Sequence, residues 1–223
     1  MNLLEIIKAT LIDLDRGTAD DTVAMYAEKF TKYANEAVNE IARRFKMNRM
    51  EPVVTNANPA PNGWAYFDST ELERDCKRVI AVYKGEWEDP EDPDSGVSMT
   101  KCDYEHPLRF TQPIPGIPMV AVSKVEPGSP IWVSYRFVPW PMSVDSLQPN
   151  DQGVVMPDNP ELPIYMHKLI PLYVRAREQC GQDPSLQGTA NAFFSMFNQA
   201  VYNLQRETLA VPDSFKFIGY HFE

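Results

Sequence analysis

The sequence predicts an α+β protein: an antiparallel helical bundle formed by both ends of the chain, with a proline-rich β subdomain inserted between them. Three observations predict it. All 20 prolines fall between Pro52 and Pro212, and 17 of them between Pro52 and Pro163. The residues before Pro52 and those after Pro163 carry apolar side chains at helical spacing. The stretch between them holds runs with the two-residue alternation of strands, separated by proline, glycine and acidic turns. The divisions are residues 1–51 (an N-terminal helical hairpin), 52–161 (the inserted β-rich subdomain), 162–206 (a C-terminal helical pair) and 207–223 (an extended C-terminal arm).

Asn2-Leu3-Leu4-Glu5 has the form of a capping box, with Asn2 as the cap and Glu5 reaching back. Leu3, Leu4, Ile7, Leu11 and Leu14 then recur at helical spacing until Asp15-Arg16-Gly17 stops the run. Thr18-Ala19-Asp20-Asp21 is a second box-like start. It opens a longer helix with Val23, Tyr26, Ala27, Phe30, Ala34, Ala37, Ile41 and Phe45 on one face. Arg43, Arg44 and Lys46 close that helix, where cations suit the macrodipole; a contact with DNA is the functional alternative.

Residues 52–63, rich in Pro, Asn and Ala, read as loop. Strand-like runs follow at Trp64 to Phe67, Arg78 to Tyr83, Pro118 to Val125 and Ile131 to Val138. Glu126-Pro127-Gly128-Ser129 is a turn, so the last two runs are expected to form a hairpin. Residues 131, 133, 135 and 137 share one face, while Trp132, Ser134 and Arg136 share the other. After Leu162 the helical period returns through Tyr165, Met166, Leu169, Ile170, Tyr173 and Ala176, with a kink expected at Pro171. Asp183-Pro184 supplies a cap and a first-turn proline for a last helix with Ala190, Phe193, Phe194, Phe197, Val201 and Leu204 inward. The arm beyond it contains Phe215, Phe217, Ile218, Tyr220 and Phe222, a density of apolar side chains that suits docking on a partner.

Charge and chemistry narrow the function. The net charge is −10, and residues 52–160 supply −8 of it with 8 basic and 16 acidic side chains. That distribution lacks the basic footprint of a nucleic-acid binder, though an acidic surface suits one past which DNA slides. No apolar run approaches the roughly 18 residues of a membrane span. The start, Met1-Asn2-Leu3-Leu4-Glu5, has no basic n-region or small-residue cleavage site, so no signal peptide is expected. Cys76, Cys102 and Cys180 are three and widely spaced, which reads as reduced cysteines made in a cytosol.

No enzyme is expected, and no cofactor, catalytic residue or metal. His106, His167 and His221 lack ligand spacing, and no phosphate-binding glycine loop or nucleophile elbow occurs. The acidic cluster Asp68, Glu71, Glu73 and Asp75 is capable of general acid/base work, but the crowding also fits a loop entering a strand. Asp92-x-Asp94-x-Gly96 is a partial calcium-loop pattern without the third Asp/Asn or the terminal Glu. Pro115-Gly116-Ile117-Pro118 is a formal Pro-x-x-Pro without basic neighbours.

Taken in order, these pieces resemble the head–tail connector (adaptor, or neck) proteins of tailed bacteriophages. Phe30-Thr31-Lys32-Tyr33-Ala34-Asn35-Glu36-Ala37-Val38-Asn39-Glu40-Ile41-Ala42-Arg43-Arg44 is similar to that family's "Tyr-x-Asn-Glu-Ala…Glu-Ile" helix. Arg78 to Tyr83 resembles its first long strand, and Val133 to Pro139 its strand ending in "Tyr-x-x-x-Pro". Leu162 to Arg177 and Thr189 to Gln205 resemble its C-terminal helix pair, with Leu172-Tyr173-Val174-Arg175-Ala176 as the "Leu-Tyr-x-x-Ala" repeat. The resemblance spans the chain to about residue 206.

It implies a structural virion protein made in the host cytoplasm and built into the neck. Copies, usually twelve, form a ring beneath the portal protein, joining capsid to tail and neck proteins. Double-stranded DNA passes transiently through the ring without sequence-specific binding, and no membrane is involved. The aromatic arm then has the portal as its partner. The alternative is another tail or neck scaffold whose β subdomain binds a host-surface or glycan ligand, with Trp64, Trp87, Trp132 and Trp140 stacking on sugar rings.

Overall fold

A computed structural model describes residues 1–89, 91–99, 106–111, 118–149, 152–180 and 187–209. The chain is mixed α+β, with four helices and three small antiparallel sheets among the described residues. It divides into two compact units. A helical unit takes Met1–Phe45 and resumes at Pro139, and a β unit takes Lys46–Val138.

In the helical unit, α1 spans Leu3–Asp13 and carries the expected capping box. The Glu5 N–H donates to Asn2, and the Asn2 N–H donates to Glu5 at 3.0 Å. Its far end is a Schellman motif. Asp15 turns left-handed at φ 53°, the Asp15 N–H reaches Ile12 O, and the Arg16 N–H reaches Leu11 O at 2.9 Å. Helix α2, Asp20–Arg44, begins at Ala19, which has no side-chain cap, so the second box does not form. Asp20 and Asp21 in its first turn complement the helix dipole instead.

Helix α3 spans Leu169–Cys180 after a 3-10 turn at Ile164–Met166. It starts later than the sequence period indicates, and this changes what Pro171 does. Pro171 sits in the first turn, where its missing N–H would have had no helical partner, so no internal hydrogen bond is lost and the expected cause of a kink disappears. Helix α4 spans Gln187–Leu209. The Asp183-Pro184 start expected for it lies outside the described residues. Leu3, Ile6, Ile7 and Leu11 of α1 are buried, as are Phe30, Ala34, Ala37 and Ile41 of α2. Leu169, Ile170 and Val174 of α3 and Ala190, Phe197 and Val201 of α4 complete the interior. Tyr173 meets the edges of both Phe194 and Phe197, at 5.7 and 5.3 Å between ring centres.

The β unit contains β1 (Asn48–Val54), β2 (Ala65–Asp68), β3 (Cys76–Lys84), β4 (Glu86–Asp89), β5 (Asp92–Ser98), β6 (Phe110–Thr111), β7 (Met119–Val122) and β8 (Pro130–Phe137). The strand orders are β1-β8-β3, β2-β7-β6 and β4-β5. Two expectations fail here, for one reason.

The stretch read as loop from residue 52 begins inside β1, where Pro52 lies opposite Trp132. A proline lacks a ladder donor and is tolerated because β1 is an edge strand. With β1 on one side and β3 on the other, β8 has no edge left for β7, which is itself held between β2 and β6. The expected β7–β8 hairpin therefore does not form. Its turn does: Gly128 stands at φ 81°, and the Ser129 N–H reaches Glu126 O at 3.2 Å. The chain crosses from one sheet to the other there, steadied by Gly128 N–H to Asn56 O and Thr55 N–H to Ser129 O, both 3.0 Å. The two sheets share one core, in which Phe67, Val120 and Val122 meet Val79, Val82, Ile131, Val133 and Tyr135.

Candidate functional site

The residues expected to dock a partner, Phe215, Phe217, Ile218, Tyr220 and Phe222, lie outside the described residues. So do Cys102, His221 and residues 112–117 of the Pro-x-x-Pro turn. The remaining candidates are placed as follows.

The acidic cluster before β3 is not a free carboxylate pair. Asp68 folds back on its own turn and accepts the Thr70 N–H at 2.8 Å and the Thr70 hydroxyl at 2.6 Å. Those bonds hold its carboxyl below the ordinary range. Glu73 pairs with Arg49 and with Arg74. The Asp75 carbonyl accepts the Val138 N–H at 3.0 Å. The cluster closes the entrance to β3.

Behind it lies a polar network that the sequence did not reveal. The fully buried Tyr135 donates its hydroxyl to Glu51 Oε2 at 2.8 Å. Glu51 also accepts Arg49 Nε at 3.2 Å and the backbone N–H of Glu73 at 2.7 Å. Burial pushes the Tyr135 phenol well above its ordinary range, and the adjoining Glu51 charge adds to the effect. Cys76 stands on β3 beside this network. Burial pushes its thiol up, and the Glu51 charge opposes a thiolate, so the residue is no activated nucleophile. The signal was present in Arg49-x-Glu51, an alternating charged pair. It was hidden because a loop read from residue 52 leaves no β1 to set it opposite Tyr135.

At the end of α2, Arg43 and Lys46 are exposed, while Arg44 turns toward its own unit. Glu40 accepts Arg43 Nη2 at 2.8 Å and Arg44 Nε at 2.5 Å. Arg44 also donates to Asn198 of α4 at 2.7 Å and lies over the Phe197 ring. The Arg43 bond, ahead of those from Arg44, holds the Glu40 carboxyl below its ordinary range. A second ionic group lies deeper. Glu178 of α3 is fully buried and meets Arg16 at 3.0 Å and Lys29 at 2.7 Å. Three parts of the helical unit are joined through that one carboxylate.

His167 is buried, with Nε2 2.8 Å from the Leu162 carbonyl, and His106 is exposed. Among the described residues no three His, Cys, Asp or Glu side chains gather as a metal site. Asp92 and Gly96 belong to β5 of the β4–β5 hairpin, where Gly96 stands at φ 109°.

The tryptophans lie on separate elements. Trp87 is on β4, Trp132 on β8, and Trp64 precedes β2; all three are half-buried. Trp140 is 60% exposed but belongs to the helical unit. An open cleft of about 440 Å³ runs along α2, lined by Glu28, Lys32, Asn35 and Glu36 with Val144 at its end. Its Asn35 is already committed, donating to Met142 O and accepting the Met142 N–H, both at 2.9 Å.

No helix is long and apolar enough to cross a membrane among the described residues. Compared with known protein families and with curated proteins, the chain matches none.

Proposed function

We propose that this chain is a head–tail connector of a tailed bacteriophage. It assembles as a ring of copies beneath the portal, joins the capsid to tail and neck proteins, and surrounds the path of double-stranded DNA. In this reading the two chain ends supply an antiparallel helical bundle, and the proline-rich β subdomain is inserted into it. The observation that carries the reading is the order of the described elements: two helices, a β unit, then two helices returning to the first unit. That order accompanies the motifs at Tyr33–Ile41, Val133–Pro139 and Leu172–Ala176.

Charge is compatible with the role. The chain carries −10 overall, and Arg43 and Arg44, its most DNA-like group, are bound to Glu40. Phosphate passing such a surface is repelled, not held. The protein acts through its surfaces and is not an enzyme.

The test is removal of residues 209–223 followed by co-sedimentation with the candidate portal. The shortened chain is expected to keep its circular dichroism spectrum and lose attachment. Unchanged co-sedimentation would count against the arm as the portal contact.

A further inference from the structure

We propose that the outward face of α4 is the surface on which a second copy of this chain docks. The proposal rests on the ring reading above and names the face that builds the ring.

The observation is an absence of charge where charge is expected. Pro184 to Gln205 is 22 residues without Asp, Glu, Lys, Arg or His, the longest such run in a chain that is 23% charged. Within it α4 buries Ala190, Phe197, Val201 and Leu204 inward, so the run is not explained by burial all round. Its opposite side is open to solvent. Ala192, Ser195, Gln199 and Asn203 are exposed along one line, flanked by Met196 (50% exposed) and Tyr202 (55%). The other three helices carry charged residues within their bodies.

A solvated helix face ordinarily carries charges; one that joins two copies of an acidic protein must not. Each copy brings −10, and like charges set against each other repel. A stripe of small side chains, amides, one Met and one Tyr removes that repulsion. It allows close approach at Ala192 and Ser195 and offers paired donors and acceptors. Gln199 and Asn203 are already aligned for this, bonded to each other at 2.9 Å. From Gly188 to Asn203 the stripe is about 22 Å long. That is short for the roughly 800 Å² per partner of a standard stable pair. The contact is accordingly weak between two copies and gains strength when a ring closes.

The test is sedimentation velocity of the full chain from low to several hundred micromolar, with hydroxyl-radical footprinting of Met196 and Tyr202. Wild-type protein is expected to self-associate, with both side chains reactive when dilute and protected when concentrated. The double variant Ala192→Glu/Gln199→Glu is expected to raise the dissociation constant about tenfold or more. Met25→Glu, on the 75% exposed Met25 of α2, is expected to leave it unchanged. Circular dichroism shows that both variants are folded. A wild type that stays monomeric throughout, or a double variant that associates normally, would overturn the proposal. Protection of Met196 and Tyr202 at every dilution would also overturn it, because another part of the same chain then covers the face. None of these results bears on portal binding, which is read separately by co-sedimentation.

Discussion

Tyr135 on β8 and Glu51 on β1 are joined by a 2.8 Å hydrogen bond that closes one end of the β unit's core. Tyr135 lies opposite Arg49, and Glu51 lies opposite Val133, so the bond runs diagonally across the β1–β8 pair. It fixes the register of an edge strand that carries a proline and lacks a full ladder.

Replacing Tyr135 with Phe removes the donor and leaves Glu51 with Arg49 and the Glu73 N–H. A hydrogen bond to a charged group contributes about 2 kcal/mol, and Tyr135→Phe is expected to lose about that much in urea denaturation. Glu51→Gln combined with Tyr135→Phe should lose less than the sum of the two single changes. Strict additivity would show that the bond does not couple the two strands.

The raised Tyr135 phenol also predicts an alkaline limb. Below the ordinary phenol value of 10.0, both folded and unfolded chains hold the proton. Above it the unfolded chain releases the proton first, so stability falls as pH rises past about 10. Tyr173 is shifted in the same direction, by burial first and then by Glu36. Absorbance titration is expected to show a late-ionising fraction that shrinks in Tyr135→Phe.

Acid acts at the end of α2. Glu40 is held below its ordinary value of 4.5 chiefly by the Arg43 hydrogen bond. Its contribution is complete above that value and is lost as pH falls through the lowered one. Its principal partner, Arg43, is 68% exposed, so the effect is small. Glu40→Gln should flatten the stability curve between about pH 5 and pH 3 and change little at pH 7. A parallel acid curve for the variant would contradict the pairing.

Glu178 is a stronger test of the helical unit. It is fully buried, whereas Arg16 and Lys29 keep 24% and 43% of their side chains exposed. Glu178→Ala is expected to cost about 3 kcal/mol, the lower part of the range for breaking a buried pair, because both cations can turn to water. A loss below about 0.5 kcal/mol in thermal or urea unfolding would assign the group to the solvated surface.

Gly85 joins β3 to β4 with no room for a side chain. A Cβ there would stand 2.8 Å from Val97 and 3.0 Å from the Pro130 carbonyl. The carbonyl belongs to the first residue of β8 and cannot move without disturbing that ladder. Gly85→Ala should cost about 1–3 kcal/mol, and a neutral result would mean the β4–β5 hairpin swings freely.

The sequence made the helices legible because their information is local. Asn2 and Glu5 state the start of α1, and the apolar period from Val23 to Ile41 states α2. Strand existence was legible where alternation ran long, as from Ile131 to Phe137. Strand partners were not. The turn at Glu126–Ser129 is compatible with a hairpin, and only the competing claims of β1 and β3 on β8 exclude it. The same non-local pairing concealed the Glu51–Tyr135 network, whose members are 84 positions apart. Pro52 marked β1 as loop because a proline is read against strand, although an edge strand accepts one. The charge-free run in α4 was visible in composition, but its meaning needed the solvent-exposed face that the fold supplies.

The connector account is tested most directly by the solution mass of the purified protein, alone and mixed with its candidate portal. The account predicts either a preformed ring or a monomer that becomes a ring on the portal, with light scattering reporting a discrete mass in both cases. A protein that remains monomeric and leaves the portal's mass unchanged would contradict it.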